Sequence, residues 1–168
     1  LYWISISLTF DQNYKFLLPV TIVLIPAFMS IFYGLISYFF LIFKPKKIIS
    51  SFLVFSLIFG ILEFLRGTIL TGFPWNLIVY SFSNQKEFLS IISIIGTYGL
   101  NLFCISLFTS PAIFIFRKTK KNSVICFFFI LIVISFYIFG LSYQKKFNKL
   151  TSEKYDYKIR AIGSNISL

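Results

Sequence analysis

The chain has 168 residues, of which 58% are hydrophobic and only 12% charged, with a mean hydropathy of +0.88. That balance leaves too little polar surface for a water-soluble domain of this size. The net charge of +11 sits in short clusters between apolar blocks, Lys44, Lys46 and Lys47, then Arg117, Lys118, Lys120 and Lys121, a placement that fits cytoplasmic loops of a membrane protein and argues against a nucleic-acid partner.

Residues 1–10 alternate apolar and polar side chains through Ile4, Ser5, Ile6, Ser7, Leu8, Thr9 and Phe10. A period of two predicts a strand or, in a membrane chain, the frayed end of a helix. The apolar block 16–43, bounded by Lys15 and Lys44, is long enough to cross a hydrocarbon core roughly 30 Å thick and reads as a transmembrane helix. Pro19 falls in its first turn, where a missing N–H costs little, whereas Pro26 lies inside and is expected to kink it.

A second span is read over 48–65. The stretch 66–87 is too apolar for an ordinary loop and too broken by Gly67, Gly72 and Pro74 for a helix, which puts it at or into the membrane interface. Residues 88–116 form a third span, with bends at Gly96, Gly99 and Pro111, and 123–141 a fourth. The expected fold is an all-α integral membrane helical bundle over 1–141, with four complete spans that are part of a larger bundle.

Residues 142–156 read as a linker. Over 157–168, Tyr157, Ile159 and Ala161 alternate with Lys158 and Arg160, the pattern of a first strand of a water-soluble domain. An isolated strand cannot satisfy its backbone groups, so the chain is expected to be cut short there. Its start at Leu1, without a signal-peptide pattern, gives the same expectation for its beginning. With both basic clusters on the cytoplasmic side, 1–15, 66–87 and everything after Leu141 fall outside. The basic tail of Lys145, Lys146 and Lys149 opposes this, but a long following domain is translocated despite its charge.

Histidine is absent, and Asp11, Glu63, Glu87, Glu153 and Asp156 are too scattered to hold a metal. No metal or cofactor is expected. Cys104 and Cys126 lie in apolar blocks, where a thiol resists ionisation and behaves as a small hydrophobe, so neither is assigned as a nucleophile.

Glu63, Arg66 and Gly67 close one span, Thr71, Gly72, Phe73, Pro74, Trp75 and Asn76 form a loop, and Gly96, Tyr98 and Gly99 lie in the next span. This order and spacing resembles the apolipoprotein N-acyltransferases, in which an acid and an Arg-Gly pair precede a TGFPWN loop and a G-x-YG motif. LYWISISL at the start resembles the family's aromatic segment ahead of a span, and IRAIGSNI near the end is similar to the strand that opens its α/β nitrilase-like domain. The chain departs from the pattern at Val79, where glycine is usual, and at Ser90, where glutamine is usual.

The resemblance implies transfer of an acyl chain from a membrane phospholipid to the N-terminal cysteine amino group of a diacylglyceryl-modified apolipoprotein, through an enzyme thioester. It implies a bacterial inner-membrane location, with the C-terminal domain on the periplasmic side. The family's Glu, Lys and Cys triad belongs to the nitrilase-like domain, so the resemblance assigns no catalytic residue within 1–168 and implies that this stretch alone is inactive.

Glu63 and Arg66 are spaced i, i+3, so they can pair at the outer boundary and anchor the loop while Arg66 keeps donors for a phosphate. With Thr71, Gly72, Phe73, Pro74, Trp75, Asn76, Tyr80 and Tyr98 they are the candidates for a lipid entrance. The rival reading is a non-catalytic polytopic membrane protein, such as a transporter component or an assembly factor. The absence of ionisable groups deep within a span counts against it.

Overall fold

The structure, a computed structural model of the chain, describes residues 2–69, 72, 74–116 and 119–151. A single helical turn, α1 (Tyr2–Ser5), runs into 3-10 turns over Ile6–Thr9 and Gln12–Leu17. Helices α2 (Leu18–Phe43), α3 (Ile48–Thr68), the short α4 (Lys86–Leu89), α5 (Ile92–Phe116) and α6 (Lys120–Thr151) follow. Four of them, α2, α3, α5 and α6, are long and apolar enough to cross a membrane. Even α3, with 21 residues, spans about 30 Å at the helical rise, the thickness of a hydrocarbon core.

Several boundaries differ from those read in the sequence. Residues 4–9 are helical and form no strand: with no neighbouring strand to pair with, local bonds win, and the Ser7 and Thr9 hydroxyls donate to the Ile4 and Ile6 carbonyls at 2.7 Å each. Helix α3 passes through Arg66 and Gly67 to Thr68. The third long helix begins at Ile92, not at Phe88, which sits in α4, and Gly96 interrupts its first turns with φ +71° and ψ 168°. Helix α6 continues to Thr151, so much of what reads as a linker after Leu141 is helix. Gln144, Lys145, Lys146 and Leu150 favour helix, and nothing between 142 and 151 breaks it on leaving the apolar block. The strand expected over 157–168 lies outside the described residues.

Helix α3 packs between α2 and α5, while α6 packs on α5 and α4. Aromatic rings fill the seams, with Phe40 on Phe55 at 5.3 Å between α2 and α3 and Phe103 on Phe136 at 5.0 Å between α5 and α6. The best-buried cluster lies toward one end, where 77–91 folds back against α5 and α6. Val79, Phe88, Leu100 and Cys104 are fully buried there, and the Phe88 ring stands 4.3 Å from Phe82 and 5.8 Å from Tyr137. By contrast α2 and α6 leave wide apolar surface uncovered, with Val23 69% and Val124 64% exposed, surface suited to lipid or to further membrane helices.

Pro111 shows how the helices tolerate their prolines. Its missing N–H leaves the Leu107 carbonyl without the usual partner, and the buried Ser110 hydroxyl donates to that carbonyl at 2.8 Å. Side-chain repair of this kind is what an apolar solvent demands.

The α4–α6 contact depends on Gly140, whose Cα faces the backbone of Glu87 so closely that a Cβ there would overlap the Glu87 carbonyl group, whereas a Cβ on Gly34 would meet nothing within 4 Å. Alanine favours a helix by roughly 0.5–1 kcal/mol over glycine, so Gly34→Ala is expected to hold or raise the thermal midpoint in detergent. Gly140→Ala is expected to lower it, by about 1–3 kcal/mol of overpacking.

Candidate functional site

Polar side chains from three helices meet at the end of α3. The Glu63 carboxylate is 2% exposed and divides its oxygens between two donors. Oε1 accepts from Arg66 Nη2 at 3.3 Å, and Oε2 accepts a short bond from Asn101 Nδ2 on α5. Arg66, also 2% exposed, reaches α2 through Nη1, which donates to the Tyr33 hydroxyl at 3.3 Å, and its guanidinium carbon lies 5.8 Å from the Tyr33 ring centre. The sequence spacing of Glu63 and Arg66 thus produces the expected pair, and the structure adds Tyr33 and Asn101.

Asn101 carries the cluster onward into the loop. Its Oδ1 accepts from the backbone N–H of Val79 at 3.0 Å. Because that bond uses the main chain, valine serves as well as the glycine usual at this position in the family the motif resembles. The valine side chain then fills the fully buried spot beside Phe88 and Leu100.

The loop turns sharply where the glycines fall. Gly72 has φ +75°, a conformation L side chains rarely adopt, and its N–H bonds the Ile69 carbonyl at 2.9 Å. A Cβ on Gly72 would overlap the Gly67 carbonyl oxygen, and one on Gly67 would overlap the Tyr98 hydroxyl. Tyr98 in turn sets its ring edge-on to Phe64 at 5.0 Å. Gly67 and Gly72, five residues apart, and Tyr98 from the next long helix are therefore one close-packed contact.

After Gly72 the chain forms 3-10 turns over Pro74–Asn76 and Ile78–Phe82. Trp75 is 62% and Tyr80 42% exposed, Asn76 is exposed and Pro74 half-buried. Of the predicted site residues, Glu63, Arg66, Gly72 and Tyr98 come together at the α3 end, with the Pro74–Asn76 turn packed against α3. Thr71 and Phe73 lie outside the described residues. Tyr80 stands on the outer side of the second turn.

Asn101 and Tyr33 were missed by a reading that weighed only ionisable groups and motif residues. The available signal for Asn101 was a lone carboxamide inside an otherwise apolar run, which is costly unless paired. Chemically the arrangement pairs buried charges and fixes the loop, and the described residues supply it with no activated nucleophile. Cys104 is fully buried, and the Cys126 thiol donates to the Ser110 carbonyl at 3.4 Å. Among the described residues no group of three or more His, Cys, Asp and Glu side chains stands ready for a metal.

Removing one member of a buried pair costs about 3–5 kcal/mol because the other charge is stranded. Glu63→Leu is therefore expected to lower resistance to SDS unfolding by that order. The double change Glu63→Leu with Arg66→Met should regain a good part of the loss, and Asn101→Leu should fall between parent and Glu63→Leu.

Residues 1–110 match the family described as apolipoprotein N-acyltransferase N-terminal domain. The chain is 37% identical over 124 residues to the apolipoprotein N-acyltransferase of Rhodopseudomonas palustris, an overlap of 73% of this chain and 23% of that protein. It is 32% identical over 125 residues to the one of Rhizobium etli, covering 74% and 23%, and 29% over 141 residues to the one of Rickettsia prowazekii, covering 83% and 28%. The chain thus spans about a quarter of the length of the curated relatives it matches. No solved structure matches it. Since the family model covers more than half of the chain and a relative is 37% identical over 73% of it, the chain belongs to the apolipoprotein N-acyltransferase family, of which it carries the N-terminal domain.

Proposed function

We propose that this chain is the membrane portion of an enzyme that moves an acyl chain from a phospholipid to the N-terminal amino group of a diacylglyceryl-modified lipoprotein cysteine. Within it, the loop that includes Thr71, Gly72, Phe73, Pro74, Trp75 and Asn76 forms the lateral entrance for the lipid donor. The reactive cysteine, glutamate and lysine belong to the family's nitrilase-like domain, whose opening sequence 157–168 resembles. Family membership carries this reading and disfavours a non-catalytic transporter component or assembly factor. The local support is an aromatic loop held on a buried polar cluster: Trp75 and Tyr80 expose their rings on the loop, and in the cluster the Arg66 Nε is buried and makes no hydrogen bond. Such an N–H suits a phosphate oxygen.

The basic turns at Lys44, Lys46, Lys47 and Lys120 sit at one end of the bundle and the loop at the other, since α2 with α3 and α5 with α6 are successive spans. In the bacterial inner membrane the basic end then faces the cytoplasm and the loop, with residues after Thr151, the periplasm. Cysteines introduced as Lys47→Cys or Lys120→Cys are expected to react with an impermeant thiol reagent only from the cytoplasmic side, and Asn84→Cys only from outside. Reversed labelling overturns the orientation.

In the full-length enzyme, Trp75→Ala and Pro74→Ala are expected to slow overall acyl transfer by about ten-fold or more through mispositioned lipid, while Ser83→Ala matches the parent at equal membrane levels. Acyl-enzyme formation and transfer to the lipoprotein are measured separately. If all three variants equal the parent, the loop is a connector and the entrance lies elsewhere.

A further inference from the structure

The end of the bundle opposite the loop carries three connected hollows. A cleft of about 980 Å³ opens between the α2–α3 and α5–α6 turns, lined by Lys46, Lys47, Lys120 and Asn122 among others. A neighbouring hollow of about 590 Å³ adds Lys44 and Pro45. Beneath both runs a groove of about 400 Å³ between α3 and α5, walled by Phe40, Phe52, Phe55, Phe108 and Ala112. Ile48 and Phe116 line all three, so the basic mouth and the apolar groove are continuous.

We propose that this end of the bundle binds an anionic diacyl phospholipid as a resident ligand, its headgroup phosphate among Lys46, Lys47 and Lys120 and one acyl chain in the groove below. Charge selects the headgroup. The lysines are exposed, no acidic side chain lines either basic hollow, and the described acids Asp11, Glu63 and Glu87 belong to the opposite end. Lys47 precedes α3 with no side-chain cap, so the first turn of that helix adds partial positive charge to the cleft.

The groove selects a lipid over a free anion, because its walls are nearly all aromatic and aliphatic and give an inorganic phosphate nothing to bind. Basic pockets between transmembrane helices at the cytoplasmic edge bind anionic headgroups. This lipid is a ligand distinct from the acyl donor, since its site lies across the membrane from the loop, and the inference does not depend on the acyl-transfer reading.

The test is native mass spectrometry of the full-length protein in detergent, offered dioleoyl phosphatidylglycerol, dioleoyl phosphatidylcholine or inorganic phosphate. The parent is expected to retain phosphatidylglycerol about ten-fold better than phosphatidylcholine. Combined Lys46→Gln, Lys47→Gln and Lys120→Gln should abolish that preference, and Ala112→Trp should weaken retention by filling the groove. Lys145→Gln with Lys146→Gln, basic positions at the other end, should leave it unchanged.

Equal retention of the two lipids by the parent overturns the proposal, as does full retention by the triple variant. Competition by phosphate as strong as by phosphatidylglycerol also overturns it, as does the absence of any lipid adduct, which means that another helix fills the groove. Should the triple variant fail to fold, the parent decides: its preference must vanish in about 1 M salt, where charges are screened within a few ångströms.

Discussion

One buried carboxylate joins most of the structure. In a membrane, apolar side chains cannot choose partners by avoiding solvent, because lipid tails are as apolar as the neighbouring helix. Polar contacts and close fits must choose instead. Glu63 does this by accepting from Arg66 on its own helix and from Asn101 on α5, while Arg66 reaches Tyr33 on α2 and Asn101 receives the Val79 amide of the loop. Sliding α5 by one turn against α3 would break two of these bonds and leave one carboxylate oxygen, a carboxamide and a peptide N–H without partners in a low-dielectric site. Each interhelical bond is worth only about 0.6–2 kcal/mol, but the cost of a wrong register is the sum of stranded groups.

The loop is the second layer of the same arrangement. Gly72 can approach the Gly67 carbonyl only because it carries no Cβ, and Tyr98 occupies the space beside Gly67 that a side chain would take. Phe88 packs at a tilt among Phe82, Phe136 and Tyr137, in the buried cluster that Tyr98 also adjoins. The aromatic rim thus rests on a floor fixed by hydrogen bonds, and Trp75 projects from it with most of its surface uncovered. At the opposite end Asn122 and Cys126 of α6 donate to the Ile113 and Ser110 carbonyls of α5, and lysines surround the opening of the hollows.

Much of this was legible in the sequence, and the rest was hidden for physical reasons. The spans follow from unbroken apolar length, and the Glu63–Arg66 pair from helical spacing. The motif glycines marked the loop but not their partners, because Gly67 meets Tyr98 only when α3 and α5 are side by side. Asn101 carries no charge and so escaped a search for ionisable groups. The alternation over residues 1–10 pointed toward a strand, yet a strand needs a neighbour, and hydroxyls in a helical turn bond their own backbone. The end of α6 was placed too early because hydropathy reports where lipid stops, while a helix stops only where its own backbone is broken.

That last difference changes how force and position pass along the chain. From Leu141 to Thr151 helix α6 extends about 15 Å at the helical rise, with Lys145 and Lys146 exposed along it. It is braced at its base, where Gly140 touches the Glu87 backbone and the Tyr137 hydroxyl bonds Gln85 at 3.0 Å. Above that brace Lys86, Leu89 and Ser90 share a hollow with Tyr143, Gln144, Phe147 and Asn148, so the turns of α6 past Leu141 run on beside α4. A tilt of this part of α6 is therefore felt first at Gln85 and Glu87, next to the buried Phe88.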